Sequence, residues 1–151
     1  MIVSLMDNRD VVSVVKVLIE TVEEDREGFR LAAEASECSD VRLLFIHYAR
    51  QRAEFSDELH RLERTYGGDE SENVSPVAFS HGWSHLQEAL RSRDHQAILS
   101  ECERGEGYAI GAYRKALSQE LPLDVQMIIG AQSLEVKAAH DKVRYLRCSL
   151  N

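Results

Sequence analysis

The sequence predicts an all-α protein, an up-down four-helix bundle made of two helical hairpins. Apolar residues recur with the 3.6-residue period of a helix through four long stretches, and the connections within each pair of stretches are short. A long polar segment separates the two pairs, as a crossover along the bundle requires. We predict one domain over residues 1–151, with helices at about 8–36, 40–66, 76–91, 94–119 and 122–148.

The first hairpin follows from its apolar stripes and its capping residues. Asp7 or Asn8 can cap the first helix, and Ser39 or Asp40 can cap the second. The β-branched run 11–17 alone would suit a strand, but its continuation to about residue 35 favours a helix. Gly67-Gly68 is a typical end for the second helix.

The second half of the chain repeats this design after the crossover. Pro76 suits a helix start, so the crossover is predicted to carry a short extra helix that contains Trp83. Asp94 can cap the third long helix, and Pro122 opens the fourth.

Composition excludes several classes of protein. The 26 acidic and 18 basic residues give a net charge of −8, which argues against nucleic-acid binding and against an anionic membrane surface. No apolar run reaches the roughly 18 residues of a membrane helix, and residues 1–6 lack the features of a signal peptide. Three cysteines in no metal-ligand spacing predict a reducing, cytoplasmic setting.

An acidic pattern, Glu-x-x-Glu-Gly-aromatic, occurs at 24–29 and again at 103–108, each time in the middle of a predicted helix. Folding each hairpin at its turn brings a set of acids to one level, a polar waist in the bundle. The set is Glu24, Glu54, Glu103, Glu106 and Glu135. Buried carboxylates must be protonated, paired with cations or bound to metal. Two interpretations are therefore open: a salt-bridged polar layer that uses Arg26, Arg52 and Arg104, or a site for divalent cations.

Four motifs in this order resemble one family over roughly residues 8–147. They are Glu-x-x-Glu-Gly-Phe at 24–29, Tyr-Ala-x-Gln-Arg-Ala-x-Phe at 48–55, Glu-Cys-Glu-Arg-Gly-Glu at 101–106 and Val-Lys-Ala-Ala-His-Asp at 136–141. The chain resembles a bacterial ferritin-like four-helix-bundle family of unknown function. This resemblance implies a ferritin-like bundle. The usual Glu-x-x-His motifs are missing, since Asp57 follows Glu54 and Ala138 follows Glu135 at that spacing. What it implies is at most an all-carboxylate site, or one assisted by His140.

The leading prediction is a metal-handling or stress-response protein that binds iron or another divalent metal. Its ligands would be the five glutamates and His140, with Gln51 and Gln132 orienting them. One alternative is a non-catalytic structural or protein-interaction module without metal, dimerising through an apolar patch formed by Val3, Leu5, Met6, Phe79 and Trp83. The second alternative is a di-iron oxidoreductase.

Overall fold

The computed structural model describes residues 6–69, 79 and 82–149, and this part of the chain forms five α-helices. They are α1 (Asn8–Ala35), α2 (Ser39–Thr65), α3 (Leu86–Ser92), α4 (His95–Leu117) and α5 (Leu123–Ser149). The four long helices begin and end within two residues of their predicted bounds. The short helix is shorter than predicted, because a turn at 82–85 precedes it; residues 76–78 lie outside the described part.

The helix ends follow the capping chemistry at most of the predicted positions. Asp7 caps α1 by accepting a hydrogen bond from the Asp10 N–H at 2.9 Å, and Asp94 caps α4 through the Gln96 N–H at 3.0 Å. The predicted capping residue of α2, Ser39 or Asp40, is wrong, since Cys38 stands at the N-cap and makes no side-chain capping bond. The chain leaves α2 through Gly67, whose φ of 85° favours glycine.

Each hairpin is antiparallel, as its cross-helix pairs show. Moving back along α1, Asp25, Glu23 and Lys16 meet residues progressively farther along α2, namely Arg52, Ser56 and Glu63. In the second hairpin, Tyr113 of α4 meets Gln132 of α5, and Glu103 meets Arg147. The two hairpins pack mainly through α1 against α4. The four long helices therefore pack as two antiparallel hairpins.

The core is divided into two apolar clusters along the bundle. The first cluster contains the buried apolar residues of α1 between Val11 and Val22, packed with the later part of α2. The second contains the buried apolar residues of α1 from Phe29 onward, packed with the earlier part of α2. On α1 the gap between the clusters contains buried Glu24 and Asp25, and on α4 it contains buried Glu106. A polar layer therefore crosses the bundle near its middle. None of the described helices is long and apolar enough to cross a membrane.

Candidate functional site

Arg52 is the centre of the polar layer, and its side chain is fully buried. Its Nε donates a hydrogen bond to Asp25 Oδ2 at 3.3 Å, and its Nη2 donates to Glu106 Oε2 at 2.6 Å. Its remaining terminal nitrogen, Nη1, donates to the Gln51 side-chain oxygen. The guanidinium thus joins α1, α2 and α4. Three aromatic rings surround it, with ring centroids 5.4–6.0 Å from Cζ, so that cation–π attraction supplements the ion pairs.

Asp25 and Glu106 are two acids around one buried cation. If both were ionised, the buried group would carry one uncompensated negative charge. Glu106 Oε1 is also buried, and among the described residues no donor reaches it. A proton on that oxygen solves both problems, because Glu106 can then donate a hydrogen bond to the neighbouring Asp25 carboxylate.

The pKa directions of the three groups agree with this assignment. Burial raises the pKa of Glu106 well above its usual value, and the charge of Asp25 adds to that rise despite the opposing effect of Arg52. Burial also raises the pKa of Asp25, but donors from Arg52 and Trp83 counteract it. Burial alone would lower the pKa of Arg52, yet the charges of Glu106 and Asp25 outweigh it and raise that pKa. We therefore assign the proton to Glu106 and the negative charge to Asp25.

Trp83 closes the layer from the crossover side. Its indole Nε1 donates to Asp25 Oδ1 at 2.9 Å, and its ring lies between Gly28 of α1 and Gly105 of α4. A Cβ added at Gly28 would come 2.5 Å from the ring, and one at Gly105 would also collide with it. Glu101 fixes the same segment by accepting a hydrogen bond from the His85 N–H at 2.6 Å. The two glycines are therefore required for space.

The repeated sequence pattern does not mark equivalent positions in space. Its first copy places Gly28 and Phe29 in the interior, whereas the matching Gly107 and Tyr108 of the second copy are exposed. The residues that perform the equivalent structural roles on α4 are Gly105, which faces Trp83, and Glu106. The repeat pointed to the correct level of the bundle, but to a different set of side chains.

The predicted ligands lie at several different places. Glu24 and Glu106 are buried, while Glu54 and Glu135 are exposed. Glu103 is partly exposed and pairs with Arg147 at 3.3 Å, and the His140 ring lies 3.3 Å from the carboxylate of Asp141. Within the described residues, no group of three or more His, Cys, Asp or Glu side chains is arranged to hold a metal ion.

The remaining predicted polar residues divide between the layer and its surroundings. Of the three candidate arginines, Arg52 is buried, whereas Arg26 and Arg104 are about half exposed. Arg26 pairs with Glu23, and Arg104 pairs with the buried Glu101. The two predicted orienting glutamines bind different partners. Gln51 donates to Glu135 at 3.2 Å, and buried Gln132 accepts the Tyr113 hydroxyl at 2.6 Å while donating to the Phe55 carbonyl at 3.3 Å.

The described members of the predicted apolar surface patch lie against the core. Trp83 is buried, and Met6 and Phe79 are partly buried against the core; Val3 and Leu5 lie outside the described residues. A different apolar surface runs along α5, where Leu123, Met127, Leu134 and Tyr145 are 71%, 66%, 71% and 64% exposed. We call these four residues the α5 stripe. Sequence reasoning missed it because α5 also carries a buried apolar face, but the spacing 123, 134, 145 was a readable signal.

The fold and the layer together define an all-α helical bundle with a buried ion cluster. Residues 10–119 match the family described as Domain of unknown function (DUF2383), and the chain belongs to that family. The matched region covers α1 from its third residue and all of α2 to α4, and it ends before α5 begins. A comparison with proteins of curated function gave no match.

Proposed function

We propose that the protein is a non-catalytic helical-bundle module that acts by binding protein through the α5 stripe. The observation that carries this proposal is the stripe itself: three large apolar side chains, Leu123, Met127 and Leu134, are each about two-thirds exposed on one helix. At about 100° per residue they fall within about 40° of one another around the helix. Large apolar side chains exposed along one side of a helix are typical of protein interaction sites.

The buried layer has a structural role under this proposal. Arg52 and the protonated Glu106 tie three helices together, and Trp83 fastens the crossover to them. The layer is closed on several sides by side chains, and its polar groups bind one another. A rigid bundle of this kind holds α5 in place as a preformed binding surface.

Site-specific photocrosslinking in cells tests the proposed function. A photoreactive side chain at Met127 should give discrete crosslinked products, and Leu134→Lys in the same chain should abolish them. Leu43 of α2 is the matched control position, since it is an apolar residue 64% exposed on another helix. Equal crosslinking at positions 127 and 43, or products that survive Leu134→Lys, would contradict the proposal.

Metal handling, in a ferritin-like arrangement of the two hairpins, is the second candidate function. It is supported by the buried acceptor Glu106 Oε1, which no donor among the described residues satisfies. A cation there is the alternative to a proton. Glu24 and Asp25, both buried nearby in sequence on α1, are further carboxylates at this level.

Metal analysis of protein purified from iron-supplemented medium tests the second candidate. We expect stoichiometric metal in the wild type and its loss in Glu106→Gln if the site binds a cation, with Glu54→Gln as the exposed control. Metal below about one ion per two chains would contradict metal handling. An oxidoreductase would in addition have to oxidise ferrous iron faster than a protein-free control.

A further inference from the structure

We propose that the occupant of the α5 stripe is α5 of a second copy of this chain, bound antiparallel about a two-fold axis near Leu134. This inference rests on the proposed function and names its partner. In this pairing Leu134 meets its own copy, and Leu123 lies beside the partner's Tyr145. The stripe then runs roughly 33 Å along the helix from 123 to 145, at about 1.5 Å per residue.

The shape of the stripe suits a close helix pair. Gly130 lies on the same side of α5, between Met127 and Leu134, and no heavy atom of the described chain lies within 4 Å of a Cβ built there. A glycine inside a helix costs roughly 1 kcal/mol relative to alanine. The packing of the described residues offers no compensation for that cost at Gly130, but a helix packed onto the stripe can approach closely at this position.

The charges beside the stripe select the antiparallel direction. Asp124 and Lys142 are both exposed and flank the same edge of the stripe, one near each end of α5. The Asp124 carboxylate accepts a hydrogen bond from the Tyr66 hydroxyl at 2.7 Å, and this neutral donor leaves its negative charge in place. In an antiparallel pair about residue 133–134, each Asp124 lies beside the partner's Lys142. In a parallel pair Lys142 would instead lie beside the partner's Arg144, a like charge. The surface is therefore complementary to itself in one direction, as a two-fold interface requires.

One acid lies within the stripe, and its charge is already partnered. Asp141 is positioned between Leu134 and Tyr145, and its carboxylate pairs with Lys137 at 3.4 Å and lies 3.3 Å from the His140 ring. The partnered acid can remain at the edge of the contact. Four apolar side chains from each copy form a small interface, so the dimer should be in measurable equilibrium with the monomer.

Sedimentation velocity of the full chain over a concentration series tests the inference. The wild type should approach twice the monomer mass at micromolar concentration. Leu134→Lys should weaken the dimer at least about tenfold, while Leu43→Lys, the matched exposed leucine of α2, should leave it unchanged. Circular dichroism of both variants verifies that each remains folded.

A charge reversal tests the direction of the pairing. Asp124→Lys and Lys142→Asp should each weaken dimerisation, and the double variant should restore it. If the dimer persists in Leu134→Lys, or the double variant stays as weak as the single ones, the proposed pairing is wrong. A wild type that is monomeric at all concentrations overturns the second-copy inference. The proposed function then stands if Met127 crosslinks to a different protein, and fails if it crosslinks to none.

Discussion

Replacing Glu106 by Gln tests the proton assignment in the buried layer. If Glu106 is a neutral acid, the amide preserves its shape, accepts from Arg52 with its oxygen and donates to Asp25 with its nitrogen. The exchange of one neutral hydrogen-bonding group for another should change the free energy of unfolding by only about 1 kcal/mol at mildly acidic pH. If Glu106 were an ionised partner of Arg52, removal of its charge from a fully buried pair would cost about 3–5 kcal/mol.

The pH dependence gives a second, independent magnitude. The pKa of Glu106 is raised in the folded protein, so the folded state holds a proton that the unfolded chain releases above the ordinary value of 4.5. The contribution of Glu106 to stability is therefore complete below that pH, and it decreases as the pH rises toward the folded-state pKa. The free energy of unfolding then falls by up to about 1.4 kcal/mol per pH unit. A Gln at this position does not titrate, so the variant does not lose this stability. Relative to the wild type, Glu106→Gln should gain stability as the pH rises.

Urea unfolding followed by far-UV circular dichroism, at intervals from about pH 5 to about pH 7, measures this difference. Asp25→Asn is the matched control. It replaces one of the two oxygens that accept from Trp83 and Arg52 with an amide nitrogen, which donates instead of accepting, and should cost about 1–3 kcal/mol even at the acidic end. A large loss in Glu106→Gln that does not change with pH would refute the assignment of the proton to Glu106.

Three further substitutions test the packing around the layer. Gly105→Ala should lower the free energy of unfolding by about 1–3 kcal/mol, because the added Cβ meets Trp83. Gly107→Ala should raise it by up to about 1 kcal/mol, because the added Cβ meets no atom of the described residues within 4 Å. Equal effects of the two variants in urea unfolding would contradict the packing of Trp83 against Gly105. Trp83→Phe should lower the free energy of unfolding by about 1–3 kcal/mol, because it leaves Asp25 Oδ1 without its donor. Adding Asp25→Asn to that variant should cost less than Asp25→Asn costs in the wild type. Additive losses would exclude an energetic coupling between Trp83 and Asp25. Gln132→Leu should cost about 1–3 kcal/mol by stranding the buried Tyr113 hydroxyl, and adding Tyr113→Phe should recover part of the loss; no recovery in thermal unfolding would mean that the hydrogen bond is not the cause.

The helices were predictable because their signals are local. Each long helix is specified by an apolar period along its whole length, so a mistake at one residue does not alter the assignment. Asp7 and Asp94 cap their helices as predicted, since a capping side chain acts on N–H groups only two or three residues away. The short helix was harder to place because the turn before it follows the burial of Trp83, which depends on α1 and α4.

The identity of the buried side chains was less predictable because one residue along a helix is a rotation of about 100°. The level of the layer was correct, yet Asp25 and Arg52 bind at its centre, while Glu54, two residues after Arg52, points to solvent. Sequence reasoning included Arg52 among the cations of a salt-bridged layer. It could not select Arg52 over Arg26 and Arg104, since all three sit at the same level and only the orientation of each helix separates them.

The charge count in the layer also constrains what a metal could do there. Arg52 supplies one positive charge to two buried carboxyls, so one further positive charge makes the group neutral, and a single proton on Glu106 is sufficient. A divalent cation in its place would leave an excess positive charge unless it recruited another carboxylate, such as Glu24, or displaced the guanidinium. Metal binding at this level would therefore release the proton of Glu106 and strengthen as the pH rises. A metal ion and a proton thus compete for the same Glu106 oxygen. A site that binds metal equally well at acidic and neutral pH cannot be the one at Glu106.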